Sequence, residues 1–284
     1  MTVRRTLLGA IAALGLAAVV VPGAQAKEWK TITVATEGAY EPWNMTRPDG
    51  SLAGFEIDLL KDLCGRMHLQ CKTITQDWDG SIPALQAGKF DVLMDAVSIT
   101  EERRKAIAFS RPYAATPASF AAVKTGALAK LPGSGTTLRL TGDAAKDRPQ
   151  IEQLRAALKG KTIGIQTATV YTSFIEDQFK DVATIREFKT AAEHDLDLNA
   201  GRIDVAFDDA TYFTSAFAKP DNADLTLTGP QINGPIWGPG EGFGFRKADT
   251  QLIAMFDKAI GAALADGTIS KLSLKWFKLD VAPE

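Results

Sequence analysis

Histidine and cysteine are scarce in this chain, with two of each among 284 residues. Two separated histidines, His68 and His194, and two cysteines supply no cluster with the spacing of a metal site. No Ser-His-Asp order of a hydrolase stands out, and both histidines read as surface or packing residues. Long basic runs are also missing, and the formal charge is −2, which argues against nucleic acid as a partner. Beyond the first 26 residues there is no apolar run of the ~20 residues that a membrane span needs. The Gly/Pro-rich tract 234–244 lacks the Lys-Ser/Thr of a phosphate loop, and its prolines remove N–H donors, so it reads as a loop and hinge. No cofactor or metal is expected.

What is present begins with a leader. Arg4 and Arg5 precede an apolar run over 6–21, and Ala24-Gln25-Ala26 forms a small-x-small cleavage site. Residues 1–26 therefore read as a secretory signal peptide, with an uncleaved membrane anchor as the alternative. Removing two arginines and no acids takes the charge from −2 to −4 in a chain starting near Lys27. Its length suits one large domain or two lobes of about 100–150 residues each. In an exported chain the close pair Cys64 and Cys71 reads as a small structural disulfide from the end of a helix to the next strand. A metal or redox pair would more often show C-x-x-C spacing.

Short apolar runs alternate with amphipathic stretches, which indicates an α/β protein. Strands are expected over 31–36, 72–75 and 91–94, with helices over 56–68 and 81–87. A second series follows: strands over 162–166, 184–188 and 203–207, with helices over 170–179, 191–200 and 211–218. Both series contain Ala-Gly-(Lys/Arg)-(Phe/Ile)-Asp-Val followed by a strand and a polar turn. One turn carries Asp95 to Arg103, the other Asp208 and Asp209. Two such lobes facing each other would bring both turns to one cleft, where the strands of open sheets end. Residues 125–149 show no strong strand pattern and read as a surface excursion. Two helices, over 250–264 and 269–277, close the chain.

The segment Asp91 to Tyr113 is the most informative. A buried strand breaks into a turn with Ser98 and Thr100, then a charged helical turn with Arg103. A strand ending in a hydroxyl-rich turn beside a helix N-terminus offers N–H groups to an anion, and an arginine adds a bidentate clamp on a carboxylate. The plain alternative is an ordinary strand–helix connection with a surface arginine.

The order and spacing of several pieces resemble the periplasmic solute-binding proteins of ABC importers, polar amino-acid family (family 3). The pieces are Thr36-Glu37-Gly38-Ala39-Tyr40-Glu41-Pro42-Trp43, Gly54-Phe55-Glu56-Ile57-Asp58-Leu59, the cysteine pair, Trp78 to Pro83, Ser98 to Arg103, Gln166 to Thr169, Ala200 to Asp204, Gly242 to Lys247, and Asp266-Gly267-Thr268 to Trp276-Phe277. Within the family the chain is most similar to nopaline-, octopine- and lysine/arginine/ornithine-binding proteins. The resemblance implies a two-lobe periplasmic-binding-protein fold of type II, with two crossing hinge strands and the ligand in the interlobe cleft. It places lobe one at 27–115 and 241–284, lobe two at 118–232, and the hinge segments at 116–117 and 233–240. It implies a monomeric periplasmic receptor that hands a small ligand to a membrane permease, and not an enzyme.

The resemblance also implies roles for residues. Arg103 would pair with the ligand's α-carboxylate, helped by Ser98 and the backbone around Ala96. Gln166 belongs to the matching second-lobe turn, and Thr169 would add a donor from that lobe or cap the helix that follows. Asp209 would accept from the ligand's amine or cap its own helix. Tyr40 and Trp78 resemble the aromatic walls around the ligand chain, and Glu37 sits where the family places an acid for a cationic head. Ala118 at the hinge would leave room for a bulky ligand.

Two departures stand out. Asp95-Ala96-Val97-Ser98 replaces the Ser-Ser-x-Ser of many basic-amino-acid receptors, and Thr167-Ala168-Thr169 replaces a Gly-Thr-Thr type sequence. Glu37 and Asp95 could together hold a guanidinium, since a buried carboxylate calls for a cation; alternatively Asp95 caps the following turn. The expected ligand is a cationic amino acid or an arginine-derived opine. The rival readings are a dehydratase of cyclohexadienyl acids on the same fold, and a sensor subunit that reports ligand to a membrane receptor.

Overall fold

The computed structural model describes residues 28–283. The leader expected at 1–26 lies outside the described residues. Strand β1 (Thr31–Thr36) is followed by a small antiparallel meander of β2 (Ala39–Tyr40), β3 (Asn44–Thr46) and β4 (Leu52–Ala53). Helix α1 (Phe55–Met67), β5 (Gln70–Thr75), α2 (Ser81–Gln86), β6 (Val92–Leu93), α3 (Glu101–Ala106) and β7 (Ala108–Phe109) come next. A second series runs β8 (Ala118–Val123), β9 (Thr137–Arg139), α4 (Ala144–Ala157), β10 (Thr162–Gln166), α5 (Val170–Phe179), β11 (Thr184–Phe188), α6 (Ala191–Asn199), β12 (Val205–Asp209), α7 (Ala210–Ala216) and β13 (Leu225–Asn233). The chain returns through β14 (Gly244–Phe245) and ends in α8 (Thr250–Ala265) and α9 (Thr268–Trp276).

These strands form two larger sheets, ordered β5-β1-β6-β14-β7 and β11-β10-β12-β8-β13-β9. In each, a central strand pairs in parallel with two neighbours, β1 with β5 and β6, and β10 with β11 and β12. The late strand β14 joins the first sheet antiparallel to β6, so the chain crosses twice between the two lobes. This is a type II periplasmic-binding-protein architecture. The carboxyl ends of β1, β6, β10 and β12 carry Glu37, Asp95, Gln166 and Asp209, as open parallel sheets place their sites.

The local chemistry explains the elements. Phe55, Leu59, Leu60 and Leu63 fall on one face of α1 and are buried in the first lobe's core. Gly54 precedes that helix at φ 129°, and a Cβ there would run into the Trp43 carbonyl. The glycines of 234–244 have a similar cause: at Gly238 and Gly240 a Cβ would collide with the carbonyls of Ile99 and Ala114. That tract is thus a close crossing of backbones.

The structure departs from the sequence expectation at 125–149, which holds β9 and the start of α4 rather than a featureless excursion. Pro149 reads as a breaker but lies inside α4; Asp143 caps the helix, and buried Ile151 and Leu154 dock it onto the second core. Strand β13 was masked in the sequence by Gly229-Pro230, where its pairing with β8 shifts register. Strand β12 extends to Asp209, so the expected polar turn is the strand's own end.

Cys64 and Cys71, seven apart in sequence, form the expected disulfide, pinning the last turn of α1 to β5. Closing so short a loop stabilises by about 2–3 kcal/mol on the chain-entropy model. Changing both cysteines to serine is expected to lower the melting temperature by about five to ten degrees. Calorimetry of the ligand-free protein checks this.

Candidate functional site

The two lobes touch across the cleft and enclose a cavity of about 440 Å³, mouth included. Its walls bring together Glu37, Tyr40, Trp78, Asp95, Ala96, Ser98, Arg103, Gln166, Thr169 and Asp209, residues up to 172 positions apart in sequence. Of the expected site residues Ala118 alone is absent from the wall. It is the buried first residue of β8, pairs with Asp209, and packs into the second lobe's core.

Arg103 sits in α3, whose N-terminus is capped by the Thr100 hydroxyl. Its guanidinium donates to the Ser98 carbonyl at 3.0 Å and, across the cleft, to the Ala168 carbonyl at 3.3 Å. It lies 5.1 Å from the centre of the Trp78 ring, a cation–π contact. Burial lowers its pKa to about 10, so it stays charged at neutral pH. Ser98 lines the cavity beside it. Ala96 and Ala168 both have positive φ, 44° and 58°, and flank this corner from opposite lobes.

Trp78 and Tyr40 line the cavity and also bridge the lobes. Trp78 Nε1 donates to the Thr167 carbonyl at 3.1 Å. Tyr40 stacks on Tyr212 at 4.9 Å between ring centres and donates to Asp208 Oδ1 at 2.5 Å. The meander placed by β2 and β3 holds Tyr40 there, a placement with no signal in its two-residue strand.

The opposite corner is acidic. Glu37 accepts from Gln166 Nε2 at 3.1 Å; burial, against that hydrogen bond, raises its pKa to about 7. Asp95 does not cap the turn after it. Its oxygens accept from the Glu37 N–H at 3.0 Å and Asn44 Nδ2 at 2.9 Å, which tie the end of β6 to β1 and β3. Burial, with Glu37 and Glu56 nearby, holds Asp95 well above the usual carboxylate range. Asp209 fills the cap role, accepting from the N–H groups of Thr211 and Tyr212 at 2.6 and 3.0 Å, and it lines the cavity too. Burial raises its pKa to about 6 against those bonds. Thr169 likewise caps α5 while lining the cavity, and its own hydrogen goes to the Gln166 carbonyl.

Three wall residues were missed in the sequence: Val170, Tyr171 and Glu241. Tyr171 follows the cap of α5 directly and its ring packs on Phe207 and Trp237. Glu241 was legible only as an acid inside an otherwise uncharged Gly/Pro tract.

His194 is not a surface residue. It is fully buried, with Nε2 3.1 Å from Asp208 Oδ2 and Nδ1 facing Asp195 at 3.1 Å. Burial lowers its pKa, but Asp195 and Asp208 outweigh that and raise it to about 9. The charged ring thereby backs the carboxylate that receives Tyr40. His68 is exposed and left-handed at the C-terminus of α1.

The cavity thus holds one guanidinium at one corner and a surplus of carboxylates at the others. Among the described residues no group of histidine, cysteine or acidic side chains is arranged to hold a metal ion. The arrangement suits a ligand with one carboxylate end and more than one positive charge.

Comparisons with known proteins agree in kind. The family model of bacterial extracellular solute-binding proteins, family 3, matches residues 32–279. The octopine-binding periplasmic protein of Rhizobium meliloti is 43% identical over 282 residues, covering 93% of this chain and 96% of that protein. The L-arginine-binding protein of Pseudomonas aeruginosa is 33% identical over 257 residues, covering 89% and 90%. An ancestral arginine-binding protein bound to arginine superposes with a TM-score of 0.72 at 28% identity, covering 87% of this chain and 98% of that one.

Proposed function

The chain belongs to the bacterial extracellular solute-binding proteins, family 3, and from that premise we propose that it is a periplasmic receptor for a cationic amino acid or arginine-derived opine, serving an ABC importer. The carrying observation is the charge layout of the cavity: Arg103 against Glu37, Asp95 and Asp209. In this reading Arg103 clamps the ligand carboxylate with the Ser98 hydroxyl beside it. Asp209 accepts from the amine. Tyr40 and Trp78 flank the chain, and Glu37, backed by Asp95, takes the guanidinium. Thr169 closes the carboxylate corner from the second lobe.

The mechanism is a population shift between open and closed lobes. Contacts from Tyr40, Trp78, Arg103 and Gln166 already cross the cleft, and the ion pairs Lys189–Asp77 and Lys219–Glu41 join the lobes as well. Closing an empty cleft, however, buries several carboxylates around a single guanidinium, which disfavours the closed state. A ligand cation removes that penalty only when the lobes close, and this differential supplies the shift. The importer's permease would then take up the closed form. A dehydratase would need a positioned general acid against an uncharged ring pocket; this cavity carries a surplus of carboxylates around Arg103, and the family is one of binding proteins.

Relatedness favours an opine, the octopine-binding protein being 43% identical where the L-arginine-binding protein is 33% identical. Charge favours arginine, because an opine brings a second carboxylate and Arg103 is the cation on the wall among the described residues. Melting of the refolded, ligand-free protein against arginine, lysine, histidine, octopine and nopaline separates the two. A ligand at about a thousandfold over its Kd adds roughly 4 kcal/mol, a rise on the order of ten degrees. A large shift with an opine and little with arginine makes this an opine receptor; the reverse makes it an arginine-type receptor. No shift with any of them overturns the reading.

A further inference from the structure

Glu241 lies where the chain re-enters the first lobe, bridged antiparallel to both Ser98 and Ala114. The residue is 5% exposed and lines the interlobe cavity. Among the described residues Oε2 has no hydrogen-bond partner, and Oε1 reaches only the Thr116 hydroxyl at 3.5 Å. That hydroxyl has one hydrogen and gives it to Asp209 Oδ2, so nothing remains for Glu241. A buried carboxylate without a donor is costly, and such groups in native proteins call for an explanation. Asp209 and Glu241 both reach the same hydroxyl, so a single nitrogen placed beside Thr116 is within range of both.

Building on the receptor reading above, we propose that Glu241 is a ligand-contacting specificity residue that brackets the ligand's amine together with Asp209. A secondary ammonium has two hydrogens, one for each carboxylate; a primary ammonium has one more to spare. Asp209 spends one oxygen on capping α7 and the other on Thr116, whereas Glu241 enters the complex with an oxygen free. Glu241 therefore supplies the unspent acceptor, and the site selects for a charged amine over a neutral substituent. Burial, with Asp209 beside it, keeps the Glu241 carboxyl well above the usual carboxylate range until such a cation arrives.

The test compares arginine with 5-guanidinopentanoate, which is arginine without its amine, by calorimetric titration of wild type, Glu241→Gln and Glu241→Met. Glu241→Gln is expected to weaken arginine by about tenfold or more and to change the deaminated ligand far less. Its ligand-free melting temperature is expected to hold or rise, since an unpaired buried carboxylate is removed. A residue with a merely structural role would lower both affinities together and the melting temperature with them; that result overturns the proposal. Unchanged arginine affinity in both variants also overturns it. If Glu37→Gln loses arginine while Glu241→Gln does not, the receptor reading stands and only the role of Glu241 falls. If wild type binds neither arginine nor octopine at millimolar concentration, the receptor reading falls and takes this one with it.

Discussion

Arg103→Ala is expected to weaken binding of the best ligand by about a hundredfold to a thousandfold. Truncating one member of a buried, hydrogen-bonded charge pair costs about 2–5 kcal/mol, because the partner charge is left behind in a dry site. Here the partner would be the ligand carboxylate, and the cavity offers it no second cation among the described residues. The ligand-free protein should stay folded, since the guanidinium's own bonds go to two backbone carbonyls, one of them across the cleft. Arg103→Lys is expected to fall between, keeping the charge but losing the planar fork and its seat on Trp78. Titration calorimetry, with a melting curve of each ligand-free variant, decides. Binding by Arg103→Ala within about threefold of wild type would remove Arg103 from the site.

The second large effect is at the acidic corner and carries a pH signature. Glu37→Gln with Asp95→Asn is expected to cost arginine about a hundredfold, as charged hydrogen bonds are worth about 1.5–3 kcal/mol each. Citrulline, whose urea head is uncharged, should lose much less. In the wild type, Glu37 is held near pKa 7 and Asp209 near 6, both above their ordinary 4.5 and 3.8. A cationic ligand needs both ionised, so affinity should rise from pH 5 to 8, by up to about tenfold per unit for each proton displaced.

The ligand-free closed protein should move the other way. These acids bind more protons folded than unfolded between pH 4 and 7, so their contribution is fully present at the acid end and is lost as pH rises through that window. His194, raised to about 9, behaves alike at higher pH: its contribution is complete below 6.5 and fades toward 9. The thermal shift produced by ligand should therefore grow with pH even as the ligand-free melting temperature falls. A shift that is flat from pH 5 to 8, in wild type and in Glu37→Gln alike, would show that no carboxylate in the cleft meets the ligand's cation.

Much of this molecule is legible in its amino-acid order, for reasons that are local. Strands 31–36, 162–166 and 184–188 and helix 170–179 coincide with their sequence boundaries, because apolar periodicity and the Thr169 cap act within a few residues. The close cysteine pair and the clustering of polar turns at strand ends follow from the same short-range rules. What only the tertiary structure decided is long-range. Pro149 sits inside α4 because burial of Ile151 and Leu154 outweighs a lost hydrogen bond. Asp95 turns to Glu37 and Asn44 rather than capping its own turn, since those donors arrive from strands 51 and more positions away. Glu241 reaches the cleft only through the second chain crossing, and His194 becomes a buried cation only when β12 brings Asp208 against it. Periodicity and capping are properties of neighbours in sequence; the charge surplus of the cleft is a property of neighbours in space.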